Sequence, residues 1–127
     1  MSDKSTLKIA VVDDSEFSRQ SIIEVLENAG YTVVGNFSSG EEALTQYKAC
    51  GANLFIIDVV MPDMSGIEVG KTITEKSMNT AIIMMSSLHS EHIVIEAISN
   101  GAIDFIQKPF EADDLLSSIE KVKKDMK

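Results

Sequence analysis

The sequence is short of cysteine, of basic clusters and of long apolar runs, and each shortage closes off a class of protein. A single cysteine, Cys50, in 127 residues rules out an internal disulfide framework. No signal-peptide-like apolar segment opens the chain, and no apolar run approaches the length of a membrane span. A cytoplasmic location without membrane insertion is expected. Lysine and arginine number 11 against 20 acidic residues, a formal net charge of −9, with no basic cluster and no helix-turn-helix segment. Direct binding to nucleic acid is therefore disfavoured, because phosphate backbones would be repelled. No His/Cys spacing supports a zinc site.

What is present fits one globular domain over residues 1–127, 44% hydrophobic and 24% charged. From Leu7 the chain alternates short apolar runs with longer stretches of helical period, five times over, which predicts a βα-repeating fold with a parallel sheet. The predicted strands are Leu7 to Val12, Tyr31 to Phe37, Leu54 to Asp58, Ala81 to Met85 and Ile103 to Gln107. Between them Phe17, Ile22, Val25, Leu26 and Ala29 make the apolar face of a first helix that Gly30 stops. Ser39-Gly40-Glu41-Glu42 and Ser65-Gly66-Ile67-Glu68 read as capping boxes opening the second and third helices, the second turning Ala43, Leu44 and Tyr47 inward. Ser90 caps a fourth helix with Ile93, Ala97 and Ile98 inward and Gly101 past its end. Leu115, Ile119, Val122 and Met126 form the stripe of a fifth. Its acidic start, Glu111, Asp113 and Asp114, and basic end, Lys121, Lys123 and Lys124, suit the helix dipole and need no ligand to explain them. Met84 and Met85 lie in an apolar run and read as core.

Strands one, three and four are nearly continuous apolar runs, as strands covered on both faces should be, whereas two and five alternate like edges. Right-handed crossovers then give the order 2-1-3-4-5, a flavodoxin-like (βα)5 three-layer α/β sandwich. In such sheets the functional crevice lies beyond the carboxyl ends of the strands, near the switch point between strands one and three.

Those ends carry Asp13 and Asp14, Asp58, Ser86, and Lys108. An aspartate after a strand is by itself an ordinary turn residue, and Lys-Pro an ordinary loop; it is the set that points to a site. Three crowded carboxylates either take up a proton or are joined by a cation. Oxygen-only ligands with room for water favour Mg²⁺ over Ca²⁺. A carboxylate beside such an ion, with a hydroxyl and an ammonium converging on it, is equipped to form and hydrolyse an aspartyl phosphate.

At Val11-Val12-Asp13-Asp14, Asp58-Val59-Val60-Met61-Pro62-Asp63-Met64-Ser65-Gly66, Met85-Ser86-Ser87 and Lys108-Pro109-Phe110 the sequence resembles the receiver domain of two-component response regulators, from about Leu7 to Val122. The resemblance implies that Asp58 is the phosphoacceptor, Asp14 a direct Mg²⁺ ligand and Asp13 a ligand mainly through water. The Val60 carbonyl would be a further ligand. Lys108 would pair with the phosphoryl oxygens across a cis bond to Pro109, and Ser86 and Phe105 would form a switch pair that repacks the face made by the fourth helix, fifth strand and fifth helix. The implied partners are a sensor histidine kinase as phosphodonor and an output protein on that face. His89 and His92 are expected at the surface, not as phosphate carriers. Ser87 stands where alanine is frequent in the family, a small residue whose hydroxyl could touch the site. Val60 and Leu88 stand where polar side chains often position hydrolytic water, so slow self-dephosphorylation is expected unless a phosphatase assists.

Within the family the sequence is most similar to single-domain chemotaxis-type regulators, through Asp14-Ser15-Glu16-Phe17-Ser18-Arg19 and Asp104 to Phe110, and through a chain that starts at Met1 and stops just after the fifth helix. The flagellar motor switch would then be the output. Such a protein is a signalling component, catalysing only its own phosphorylation and dephosphorylation. A phosphorelay intermediate, or a receiver excised from a transcriptional regulator, is the alternative within the family. Outside it, an aspartyl-phosphate phosphatase or phosphotransferase of the haloacid-dehalogenase kind needs an Asp-x-Asp pair, but Ser15 and Val60 occupy the second positions. A flavin carrier needs a hydroxyl- and glycine-rich phosphate loop where this chain has two carboxylates.

Overall fold

A computed structural model describes residues 6–77, 79–88 and 90–125. Five strands, β1 (Lys8–Val12), β2 (Thr32–Phe37), β3 (Leu54–Asp58), β4 (Ala81–Ser86) and β5 (Asp104–Gln107), alternate with five helices, α1 (Glu16–Asn28), α2 (Gly40–Cys50), α3 (Gly66–Lys76), α4 (Glu91–Ser99) and α5 (Ala112–Asp125). The strands pair in parallel in the order β2-β1-β3-β4-β5, as the burial pattern predicts. Every residue of β3 and β4 is buried, while β2 and β5 expose part of their length.

Alternation along the strands sends side chains to two cores. Ala10, Val12, Phe55, Ile57, Ile82 and Met84 pack with residues of α2, α3 and α4. Ile9, Val11, Leu54, Ile56, Met85 and Ile106 pack with Ile22 and Leu26 of α1 and Leu115, Ile119 and Val122 of α5. Met126, expected to continue that last stripe, lies outside the described residues.

Serine opens four of the helices. Ser15, Ser39, Ser65 and Ser90 each accept a backbone N–H of the first turn through Oγ. The reciprocal half of the α2 capping box is displaced by one residue, since Glu42 Oε1 accepts from Ser38 N at 2.7 Å. Two apolar residues assigned to inward faces are instead exposed, Phe17 at 84% and Ile98 at 45%. At 100° per residue Phe17 lies roughly 140° around α1 from buried Ile22, and Ile98 lies roughly 100° around α4 from buried Ala97. Phe17 lines an open groove with Pro109 and Phe110.

Candidate phosphoryl-acceptor and metal site

The strand registers set the rim of the cleft. Val12 lies beside Ile57, so the next residues, Asp13 and Asp58, emerge as neighbours. Ser86 pairs with Gln107, which puts Lys108 one step beyond it. The alternation that directs Ile9 and Val11, Leu54 and Ile56, and Ile106 into the α1/α5 core carries on to Asp13, Asp58 and Lys108. All three meet on one side of the sheet. Lys108 Nζ lies 2.8 Å from Asp13 Oδ2 and 3.1 Å from Asp58 Oδ2.

Asp13 is fully buried and held on every polar atom. Its Oδ1 accepts from Ser15 N at 2.9 Å, and its Oδ2 accepts from Ser18 Oγ at 2.7 Å as well as from Lys108. Its N–H donates to the Phe37 carbonyl, and its own carbonyl accepts from Arg19 Nη1. Burial raises the pKa of this carboxyl, but the donors from Lys108, Ser18 and Ser15 outweigh burial, and its pKa lies below the ordinary carboxylate value.

Asp58 is less well supplied. Among the described residues, Oδ1 accepts a single bond, from Val60 N at 3.2 Å, and Oδ2 shares the Lys108 ammonium. Burial raises its pKa, the Lys108 charge opposes that, the neighbouring Asp13 charge adds to it, and the net shift is upward. Lys108 loses basicity through burial but gains more from its bond to Asp13 and the Asp58 charge, so its pKa is raised and it stays an ammonium. The turn after Asp58 is tight: Gly66 N donates to the Val59 carbonyl at 2.8 Å, and a Cβ on Gly66 would lie 2.0 Å from the Asp58 carbonyl oxygen. Only glycine fits there. The Lys108-Pro109 bond is cis, as expected.

Asp13, Asp14 and Asp58 each offer a carboxylate oxygen within 4.8 Å of the others. Asp14 is exposed, so the cluster opens to water on one side. An all-oxygen donor set with room for water fits a hard divalent cation such as Mg²⁺.

Ser86 is buried at the rim but does not join the carboxylates. Its side chain continues the Ile82 and Met84 face, and Oγ accepts from Leu88 N at 2.9 Å. Phe105 is half-buried against the α2/α3/α4 core, and Val60 and Leu88 are exposed at 50% and 52% on either side of the cleft mouth. His92 is exposed, whereas His89 lies outside the described residues. Sequence reasoning missed two residues. Ser18 binds Asp13 directly, although nothing marks it out from any other serine in a first turn. Asp63 accepts from Gly40 N and Glu41 N and so anchors the start of α2 from the loop after Asp58; its position after Pro62 signals only a turn.

A parallel five-stranded sheet with three carboxylates and a lysine gathered at its carboxyl edge defines a receiver. The chain belongs to the response regulator receiver domain family, whose model matches residues 9–120. Its relatives include the chemotaxis protein CheY of Bacillus subtilis, 40% identical over 90% of this chain and 95% of that protein. CheY of Thermotoga maritima is 37% identical over 92% of this chain and 98% of that protein. Among solved structures, the CheY-like receiver domain protein of Methanospirillum hungatei superposes with a TM-score of 0.87 at 27% identity, covering 94% of this chain and 95% of that one. The CheX-CheY-BeF3-Mg²⁺ complex of Borrelia burgdorferi gives 0.86 at 30% identity, covering 91% and 88%. CheY-like receivers are two-component signalling proteins of the chemotaxis type, not enzymes in the ordinary sense. No helix among the described residues is long and apolar enough to cross a membrane.

Proposed function

We propose that this chain is a single receiver domain over 1–127 that takes a phosphoryl group from a sensor histidine kinase onto Asp58 and passes the signal on by a reversible protein contact, in the cytoplasm and as a stand-alone chemotaxis-type regulator. The observation that carries this reading is the single ammonium of Lys108 bridging Asp13 and Asp58 at 2.8 and 3.1 Å. One carboxylate is anchored and the other, with fewer donors, is left to react.

Asp13, Asp14, Asp58 and the Val60 carbonyl would hold Mg²⁺, which when bound offsets charge on the transferring oxygens. An Asp58 oxygen attacks phosphorus in line. The new O–P bond forms as the N–P bond of the phosphohistidine breaks, and the imidazole leaves with the electron pair. Lys108 moves its hydrogen bonds to the phosphoryl oxygens, and Ser86 exchanges the Leu88 N–H for a bond to the same group. Phe105 then turns inward behind it, repacking the α4/β5/α5 face for the output partner, the flagellar motor switch in a chemotactic system. Hydrolysis by water returns the carboxylate and inorganic phosphate. Val60 and Leu88 leave that water unpositioned, so loss of phosphate is slow without a phosphatase, and Val60→Asn with Leu88→Glu should shorten the lifetime.

Intact-mass analysis after incubation with acetyl phosphate, with and without Mg²⁺, tests the reading. A Mg²⁺-dependent gain of one phosphoryl group, absent in Asp58→Asn, is expected. No gain from acetyl phosphate or from a panel of phosphorylated histidine kinases, in folded protein with Mg²⁺, would overturn it.

A further inference from the structure

Two of the three N–H groups of the Lys108 ammonium are taken, one by Asp13 Oδ2 and one by Asp58 Oδ2, so an ammonium drawn fully onto a phosphoryl group gives up its bond to Asp13. Asp13 is fully buried. If Lys108 were its only side-chain donor, withdrawing the ammonium would strand a buried anionic oxygen without a hydrogen bond. The same oxygen, Oδ2, also accepts from Ser18 Oγ, and at 2.7 Å that bond is as short as the one from Lys108 at 2.8 Å.

We propose that Ser18 is a positioning residue that releases Lys108, its hydroxyl keeping Asp13 Oδ2 hydrogen-bonded while the ammonium leaves for the phosphoryl group on Asp58. The proposal rests on the acceptor role of Asp58. The local structure supports it in two ways. Ser18 sits in the first turn of α1, where its own N–H is taken by Ser15 Oγ at 3.2 Å, and Ser15 N in turn holds Asp13 Oδ1 at 2.9 Å. The two serines thus grip both oxygens of Asp13 from one rigid helix start. Arg19, the next residue, binds the Asp13 carbonyl and Asn36 Oδ1, so that helix start is tied to β1 and to the end of β2. The Ser18 hydroxyl therefore stays where it is when Lys108 moves. Without it Asp13 would depend on Lys108 and hold it back.

The test compares wild type, Ser18→Ala and Ser18→Thr at saturating Mg²⁺. Ser18→Ala should slow the maximal rate of phosphorylation by acetyl phosphate roughly ten- to a hundredfold, as the loss of one hydrogen bond to a charged group implies. The acetyl phosphate concentration for half-maximal rate should stay the same, and Ser18→Thr, which keeps the hydroxyl, should recover the rate. A second readout needs neither donor nor metal: exchange of the Lys108 ammonium protons with water, followed by NMR, should slow in Ser18→Ala because Asp13 then holds the ammonium more tightly. Equal rates and equal exchange in wild type and Ser18→Ala would overturn the proposal. So would a slowed Ser18→Ala with a lowered thermal midpoint and no recovery in Ser18→Thr, which would mark the serine as only a helix-start residue. A wild type that takes up no phosphoryl group would remove the acceptor reading, and this inference with it.

Discussion

The β1 corner and the β3 corner of the cleft hold the same residue type, at matching strand ends, sharing one ammonium, yet their carboxylates are displaced in opposite directions. Burial raises the pKa of both. Asp13 has donors from Ser15, Ser18 and Lys108, and they overcome burial; Asp58 has a long bond from Val60 and a share of Lys108, and they do not. The number of donors, more than depth, decides which carboxylate is held in its ionised form and which is the more basic. On the proposed reading, Asp58 serves as the nucleophile because it has fewer hydrogen bonds than Asp13.

The comparison can be broken first at the backbone of the β3 corner. Gly66→Ala would drive a methyl group into the Asp58 carbonyl oxygen, since the Cβ would lie 2.0 Å away. A loss of about 3 kcal/mol, the upper end for overpacking, is expected in denaturant unfolding. Lys108→Met removes the donor both corners share, and the rate of phosphorylation, read by intact mass, should fall roughly a hundredfold or more.

Neutralising each carboxylate in turn sharpens the contrast, because the expected signs differ. The folded protein binds the Asp58 proton more readily than the unfolded chain does, so the ionised group costs stability above its raised pKa. Asp58→Asn should therefore raise the thermal midpoint at neutral pH in metal-free buffer, and the gain should shrink as pH falls through that pKa. Asp13 is the reverse case: its depressed pKa contributes stability above the ordinary carboxylate value, lost as pH falls through the folded one. Asp13→Asn should lower the midpoint at neutral pH, with the deficit closing in acid. Shifts of one sign in both variants would contradict the comparison.

A third carboxylate extends it at smaller scale. Asp104 accepts from Phe105 N, from buried Ser118 Oγ at 2.7 Å and weakly from Lys121, tying β5 to α5. It is a side chain anchored like Asp13, but nearer solvent. Ser118→Ala should cost about 1 kcal/mol in thermal or denaturant unfolding.

Much of this arrangement is legible in the sequence because hydrophobic runs mark the strands, and polar residues that end such runs must lie at one edge of a parallel sheet. That reasoning places Asp13, Asp58, Ser86 and Lys108. Which of them touch is a matter of register and side-chain parity, and here Ser86 departs, following Met84 to the opposite face and bonding to Leu88 N. Ser18 and Asp63 were invisible because their partners depend on loop geometry that no periodicity encodes. Phe17 and Ile98 read as inward from apolar character alone, but their angular positions turn them away from the sheet.

The most direct measurement traps the acyl phosphate where it forms. After phosphorylation with acetyl phosphate and Mg²⁺, borohydride reduction converts a phosphorylated aspartate to homoserine, which peptide mass spectrometry locates. Homoserine at position 58 alone is the predicted result; homoserine at position 13 or 14 would contradict the assignment of anchored and reactive carboxylates.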